Sequence, residues 1–315
     1  MAALGAGIAL LYTARNYRLT RRGQITERFT KALERLGSDQ QYVRIGGILA
    51  LEQIVRDAPE QAATDAARVL GHFIRDRTPR SDIAIRRTIT DNEETSTADS
   101  VAPYMLQEIA ADIQEALTAL TRIESRIHVD AREVIDLHDL HLAGVKLNDA
   151  DLTGANLSAA SLDGVDLSRA VLTEANLSDT SLVRANMRKA TLIRANLLRA
   201  SLTAVDLFEA DLSEATLFTA SLNEAHLEQA TFDRADLSAS ILDGANLSEA
   251  SLVGATISAA EMYRTNLSKA NLRRANLQES NLTEADLTEA NLEDADLSGA
   301  TVRGTILSGP TTVLE

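Results

Sequence analysis

From Leu137 to Leu307 an apolar residue stands at every fifth position, without one insertion or deletion. Thirty of these 35 positions are Leu, and the exceptions (Met187, Phe232, Ile257, Met262 and Val302) are apolar too. Ala precedes each by two residues in 25 of the 35 cases, so the unit reads A-(D/N/S/T)-L-x-x. An α-helix, with 3.6 residues per turn, does not return to one face every five residues, and neither does a flat strand with a period of two. A coil that turns one corner per five residues does, and it keeps Ala and Leu inward on every side. Asp, Asn, Ser and Thr then fall beside the corners, where their short side chains can hydrogen-bond local backbone.

The exceptions in the Ala column give the number of sides. Val145, Val165, Val205, Thr265 and Thr305 differ by multiples of 20, and so do Leu140, Thr180, Ser240 and Ser280. Only Ile135, at the very start, belongs to neither set. A super-period of 20 means four sides per coil. About nine coils, stacked like adjacent strands at about 4.8 Å, make a rod of roughly 40 Å. Four Leu ladders supply its core, and closure of each coil leaves no lateral strand edge. The composition agrees: aromatic residues are 3% of the chain and Trp is absent, as suits a narrow interior filled by Ala and Leu.

The region before the array is helical in pattern. Residues 21–36 carry Ile25, Phe29, Ala32, Leu33 and Leu36 on one face, with Gly37 as the stop. Ser38 reads as the cap of a second helix bearing Ile45, Ile48, Leu51, Ile54 and Val55, ended by Pro59. A third, from about Glu60 to Arg77, turns Ala66, Val69, Leu70, Phe73 and Ile74 inward. The Gly46–Gly47 pair inside the second helix has no phosphate-loop Lys and no preceding strand, so it reads as close helix packing. Residues 21–77 thus form a small α-helical module, and the polar stretch 78–102 reads as a flexible linker. Residues 103–127 form an amphipathic helix whose stripe (Leu106, Ile109, Ile113, Leu117, Leu120, Ile123) either covers the first coil or docks on the module.

Residues 1–12 are apolar and are followed by Arg15, Arg18, Arg21 and Arg22. Twelve residues fall short of the roughly 20 that cross a bilayer, and a signal peptide carries its charges before the apolar run. Three readings stay open for residues 1–20: a membrane segment shortened by a downstream start codon, an interfacial anchor, or a helix packed on its own domain. The arginines would keep the remainder in the cytoplasm, attached to the cytoplasmic face of the membrane. Absence of Cys fits a reducing compartment.

The array resembles the pentapeptide-repeat family over residues 135–309, and the stretches at residues 12–38 and 43–54 resemble the leader of many actinomycete members. The resemblance implies a mainly β fold, a right-handed quadrilateral β-helix preceded by the α-helical module, and no settled activity.

No residue pattern supports catalysis, a cofactor or a metal. His138, Asp139 and His141 are the one tight cluster of metal-capable groups, where zinc needs three or four ligands, and they read as solvated side chains of the first coil. Net charge is −15; residues 1–135 hold 18 basic and 19 acidic residues, leaving 13 and 27 for residues 136–315. Such an acidic body argues against direct binding of nucleic acid phosphates. The charge is banded. Arg184, Arg188, Lys189, Arg194 and Arg199 form one basic band and Arg264, Lys269, Arg273 and Arg274 another; Glu279, Glu284, Glu289, Glu293 and Asp294 lie in an acidic one. These bands are the candidate surface for orienting an unidentified protein partner. The expected function is a non-enzymatic protein-interaction scaffold. The alternative, by resemblance to quinolone-resistance members, is a DNA-mimicking modulator of a type II topoisomerase. At the far end Pro310 and Thr312 take inward slots and stop the ladder, so either the tail at 310–315 folds over the end or two rods meet end to end as a homodimer.

Overall fold

The computed structural model describes residues 22–78, 80, 109–130 and 132–308. The leader at 1–20, nearly all of the linker, the start of the fourth helix and the tail at 310–315 lie outside the described residues.

The array is a right-handed quadrilateral β-helix. Parallel bridges join each corner-flanking residue to the one 20 positions on, from Asp136–Asn156 to Asp286–Ile306. The 20-residue period read from Val and Thr in the Ala column is therefore one coil. Neighbouring coils exchange hydrogen bonds on every side, as where the Leu152 N–H donates to Val171 O at 2.8 Å and the Val171 N–H to Ala150 O at 2.8 Å.

Each corner is a four-residue turn, closed for instance by the Ala155 N–H to Leu152 O at 3.0 Å. Its third residue has positive φ at all 34 corners from Asp139 to Gly304, and 27 of these residues are not Gly. A type II turn needs that geometry. It costs an L-residue on the order of 1–2 kcal/mol each time. Stacking offsets the cost, since the same residue's N–H donates to the next coil, as from Glu174 to Ile193 O at 2.9 Å. The corner-flanking polar residue helps as well: Asn156 Oδ1 accepts from the Ser158 N–H, and Asp166 Oδ1 from the Ser168 N–H. This is the local bonding expected of those side chains.

Inside, the Leu and Ala ladders are almost wholly buried, with Phe232 the largest side chain enclosed. The hydroxyls in the Ala column are satisfied there, as buried polar groups must be. Thr180 and Thr265 Oγ1 each donate at 2.8 Å to a Leu carbonyl in the preceding coil, and Ser240 and Ser280 Oγ to one in their own turn.

The module comprises α1 (residues 22–36), α2 (Gln41–Asp57), α3 (Pro59–Arg77), α4 (Ala111–Thr121) and the one-turn α5 (Ile123–Arg126). Three details differ from the sequence reading. Leu33 is 40% exposed, because only Ala32 and Leu36 of α1 bury fully against the bundle. Ser38 does not cap α2; Gln40 holds that position without a side-chain cap, and Ser38 Oγ accepts the Gln40 N–H instead. The fourth helix breaks at Arg122, whose extended backbone separates α4 from α5. Gly47 is a close-packing residue, since a Cβ there would lie 3.0 Å from Ala32 O and Leu36 N. Gly46 is not, for nothing lies within 4 Å of its Cβ position.

A buried ion pair locks α2 to α4. Arg44 Nε lies 2.6 Å from Asp112, and its Nη1 donates to Ser38 O and Asp39 O. Burial pushes the Asp112 carboxyl up, but the hydrogen bonds from Arg44 and Gln41 outweigh it and hold the pKa below its ordinary value. Ile113, Leu117 and Leu120 of α4 belong to one hydrophobic cluster together with residues of α2, α3 and the rod, while Leu106 and the Ile123 side chain lie outside the described residues.

Candidate functional site

The rod offers two ends and four sides, and each is built differently. At the N-terminal end, three edges of the first coil meet the module and the fourth meets Arg80, just beyond α3. Gln114 Nε2 donates to Lys146 O at 2.8 Å while its Oε1 accepts the Lys146 N–H at 3.0 Å, so one side-chain amide stands in for the peptide group of a missing coil. The Thr121 carbonyl, left without a helical partner at the end of α4, accepts the Asp151 N–H at 2.7 Å. Arg80 forms an antiparallel bridge with Leu140. Arg75 sits 3.2 Å from the Asp136 carboxylate.

The far end is different. The ladder residues Val302 and Leu307 are 41% and 38% exposed, whereas ladder residues in the middle of the rod are at or near zero.

The sides carry the charge bands, and the 20-residue coil sorts them. Arg184 belongs to the side built from residues 140–144 and their equivalents, Arg188 and Lys189 to the next side, Arg194 to the third and Arg199 to the fourth. The first basic band is thus a belt around the rod, one or two residues per side, rather than a patch. Arg264, Lys269, Arg273 and Arg274 make a belt over three sides, and Glu279, Glu284, Glu289, Glu293 and Asp294 one over all four.

Most belt residues are paired with the adjacent coil. Arg194 meets Glu174 at 2.6 Å, Arg199 meets Asp179 at 2.7 Å, Arg188 meets Asp206 at 3.1 Å and Lys189 meets Glu209 at 3.1 Å. The second basic belt engages the acidic one directly, through Arg264–Glu284 at 2.7 Å, Arg273–Glu293 at 3.2 Å and Arg274–Asp294 at 3.5 Å. Its hydrogen bond with Glu284 holds Arg264 above its ordinary pKa, and Glu284 lies below its own. Exposed pairs of this kind contribute about 0–1 kcal/mol each. Arg184 is the exception in the first belt: its neighbours above and below are Ala204 and Gly164, and it has no ion pair among the described residues.

His138 is more than a solvated side chain. It hydrogen-bonds Asp136 at 2.5 Å and contacts Arg75 Nη1 at 3.0 Å, within the junction between module and rod. Among the described residues, no group of three or more potential ligands could hold a metal ion, and no helix is long and apolar enough to cross a membrane.

A family model described as pentapeptide repeats matches in eight copies, over residues 135–173, 170–207, 210–248, 232–268 and 270–309. The chain belongs to the pentapeptide-repeat family.

Solved structures of other members resemble the array. One is HetL, a pentapeptide repeat protein involved in heterocyst differentiation regulation from the cyanobacterium Nostoc sp. strain PCC 7120, at 32% identity over 54% of this chain and 86% of that one, with a TM-score of 0.35. A second is QnrB1, a plasmid-mediated fluoroquinolone resistance protein, at 22% identity over 51% and 79%, TM-score 0.35. A third is Rfr23 from the cyanobacterium Cyanothece 51142, at 34% identity over 37% and 63%, TM-score 0.25. No curated protein matches the chain.

Proposed function

We propose that this pentapeptide-repeat protein is a non-enzymatic interaction scaffold, a rigid acidic rod held through its helical module and presented to a protein partner at the cytoplasmic face of the membrane. The observation that supports this reading best is the asymmetry of the ends. The module and Arg80 meet the N-terminal end on every side, which leaves the four sides of the rod, and the far end where Val302 and Leu307 are exposed, for a partner. Repeat rods supply long, rigid surfaces suited to such a role. An excess of 27 acidic over 13 basic residues in 136–315 steers a basic partner toward the rod. The belts fix its orientation, with Arg184 and Lys269, which have no ion pair among the described residues, as cations to take a partner's carboxylates. Residues 1–20 supply the membrane contact.

Affinity capture of the full chain from its native host, with and without residues 1–20, tests this. A specific protein partner, captured less well by Arg184→Glu, is the expected result. Capture of no specific protein, together with equal membrane association of both chains, rejects it.

The same reading includes a homodimer through the far end. With the opposite end sealed, head-to-tail stacking is blocked, and only a tail-to-tail contact of two-fold symmetry is left. Light scattering should give twice the chain mass, falling to one for Ile306→Glu; a monomer for the unaltered chain rejects the dimer.

The alternative, a DNA-mimicking modulator of a type II topoisomerase, draws support from the acidic rod. Magnitude counts against it. A duplex of roughly 40 Å carries about 24 phosphate charges, while the acidic excess of 136–315 is the difference between 27 and 13, interrupted by two basic belts. A supercoiling assay with neither inhibition nor protection at micromolar protein removes this reading.

A further inference from the structure

A cavity of about 150 Å³ lies where α3 meets the start of the rod. Arg68, Gly71 and Arg75 line it from one face of α3, and Arg126 of α5 lines it together with Glu133 and Asp136. Both carboxylates are already engaged. Glu133 accepts two hydrogen bonds from Arg68, at 2.7 and 3.3 Å. Asp136 is held by Arg75 at 3.2 Å and by His138 at 2.5 Å. Arg126 is the surplus cation. Its Nε and Nη1 are shielded from solvent and have no hydrogen-bond partner among the described residues. Burial pushes the Arg126 pKa down, and the fields of Asp151 and Glu133 oppose that only in part. A guanidinium with buried, unmet N–H donors is a costly arrangement unless something accepts from it.

Gly71 makes the room. It lies inside a 19-residue helix, where Gly is disfavoured, and a Cβ added there would meet nothing within 4 Å. Neither strain nor close packing accounts for it; its effect is an open space between Arg68 and Arg75.

We propose that this cavity binds a small tetrahedral oxyanion, a phosphate or the phosphoryl group of a small molecule, with the guanidiniums of Arg126, Arg68 and Arg75 around it and the Arg126 side chain turning its unmet Nε and Nη1 toward the occupant. At about 150 Å³ the cavity is far larger than a single water requires and has room for a phosphate. The planar guanidinium fork matches phosphate oxygens in pairs. Because the lining comes from α3, α5 and the segment leading into the first coil, an occupied site fastens the module to the rod.

Calorimetric titration of the full chain with inorganic phosphate, at fixed ionic strength balanced by chloride, tests the site. One phosphate per chain and a phosphate-dependent rise in unfolding temperature are expected. Arg126→Gln should weaken binding by about ten-fold or more. Gly71→Leu keeps all three guanidiniums, favours the helix and fills the cavity, so it should abolish binding while raising or preserving stability in chloride. Glycerol phosphate binding as tightly as phosphate assigns the site to a phosphoryl ester, and binding of phosphate alone assigns it to the free ion; either supports the proposal. No saturable heat and no thermal shift relative to chloride overturns it, as does unaltered binding by the Gly71→Leu protein.

Discussion

The two ends of the rod are made of the same repeat and meet the same physical problem, yet they solve it differently. A coil with no neighbour leaves one row of backbone N–H and C=O groups and one layer of Leu without partners. At the N-terminal end the module supplies both, through Gln114, the Thr121 carbonyl and the apolar stripe of α4. At the far end Leu292 is still buried, but Val302 is 41% exposed and Leu307 38%. The repeat propagates a core and cannot terminate one, because each coil is complete only when stacked on the next. A cap therefore has to come from outside the period, and the module is that cap.

The sharpest break in the comparison should come from the lock inside the cap. Asp112→Ala leaves Arg44 buried without its partner and should cost about 3–5 kcal/mol, the range for breaking a buried pair. Chemical denaturation followed at a helical signal should show the loss; a midpoint unchanged from wild type would deny that the pair holds α2 to α4. Next comes one substitution made at two heights. Leu197→Ala, wholly buried in mid-rod, should cost about 2–5 kcal/mol. Leu307→Ala, at the open end, should cost about 1 kcal/mol or less. Equal costs would mean that the far end is covered as well as the middle.

Acid should separate the two regions by a smaller margin. Asp112 and Asp136 both lie below their ordinary pKa. In each case burial pushes the carboxyl up and hydrogen bonds outweigh it, from Arg44 and Gln41 in one and from His138 in the other, where Arg75 adds its charge. A depressed carboxylate contributes stability above its unfolded pKa of about 3.9 that is lost as pH falls through the folded value. Asp136 belongs to the first coil where it meets the module. The other depressed carboxylates of the rod, Asp149, Glu284 and Asp296, are solvent-screened and contribute little, and the Leu and Ala ladders do not titrate. Far-ultraviolet circular dichroism between pH 5 and pH 2 should therefore show helix loss before the β signal changes; simultaneous loss would contradict this order. The smallest effect belongs to the corners. Ala239 and Ala259 hold φ of 54° and 53°. Changing either to Gly should relieve the left-handed cost, partly offset by the freer unfolded chain, for a gain of about 0.5 kcal/mol. A lower unfolding temperature in either variant would show that the corner geometry is not strained.

Much of the rod was legible because its contacts recur at a fixed offset. Thr180 and Ser240 report the four-sided coil from within the Ala column, and Arg264 and Glu284 pair because they differ by 20. The left-handed corner was equally open to reading, for Gly144, Gly154, Gly164, Gly244, Gly254, Gly299 and Gly304 all fall on it. With charged residues at most other corners, the signal is easily taken for surface variation. Whether a charge belongs to a belt or a patch follows from the same arithmetic once the coil length is known.

The cap is another matter. Gln114 meets Lys146 across 32 positions, Arg75 meets His138 across 63 and Arg44 meets Asp112 across 68, with no period linking them. Leu33 and Ser38 show the same limit at short range, since the helical pattern marks an apolar face and a cap without saying which neighbour reaches them. The sequence by itself determined the rod, its four sides and its inward residues, because a repeat of five is a local rule that each coil enforces on the next. Tertiary structure alone decided which end is sealed, which guanidinium is left without a partner and where a cavity opens, because those depend on how one unrepeated bundle lands on the first coil.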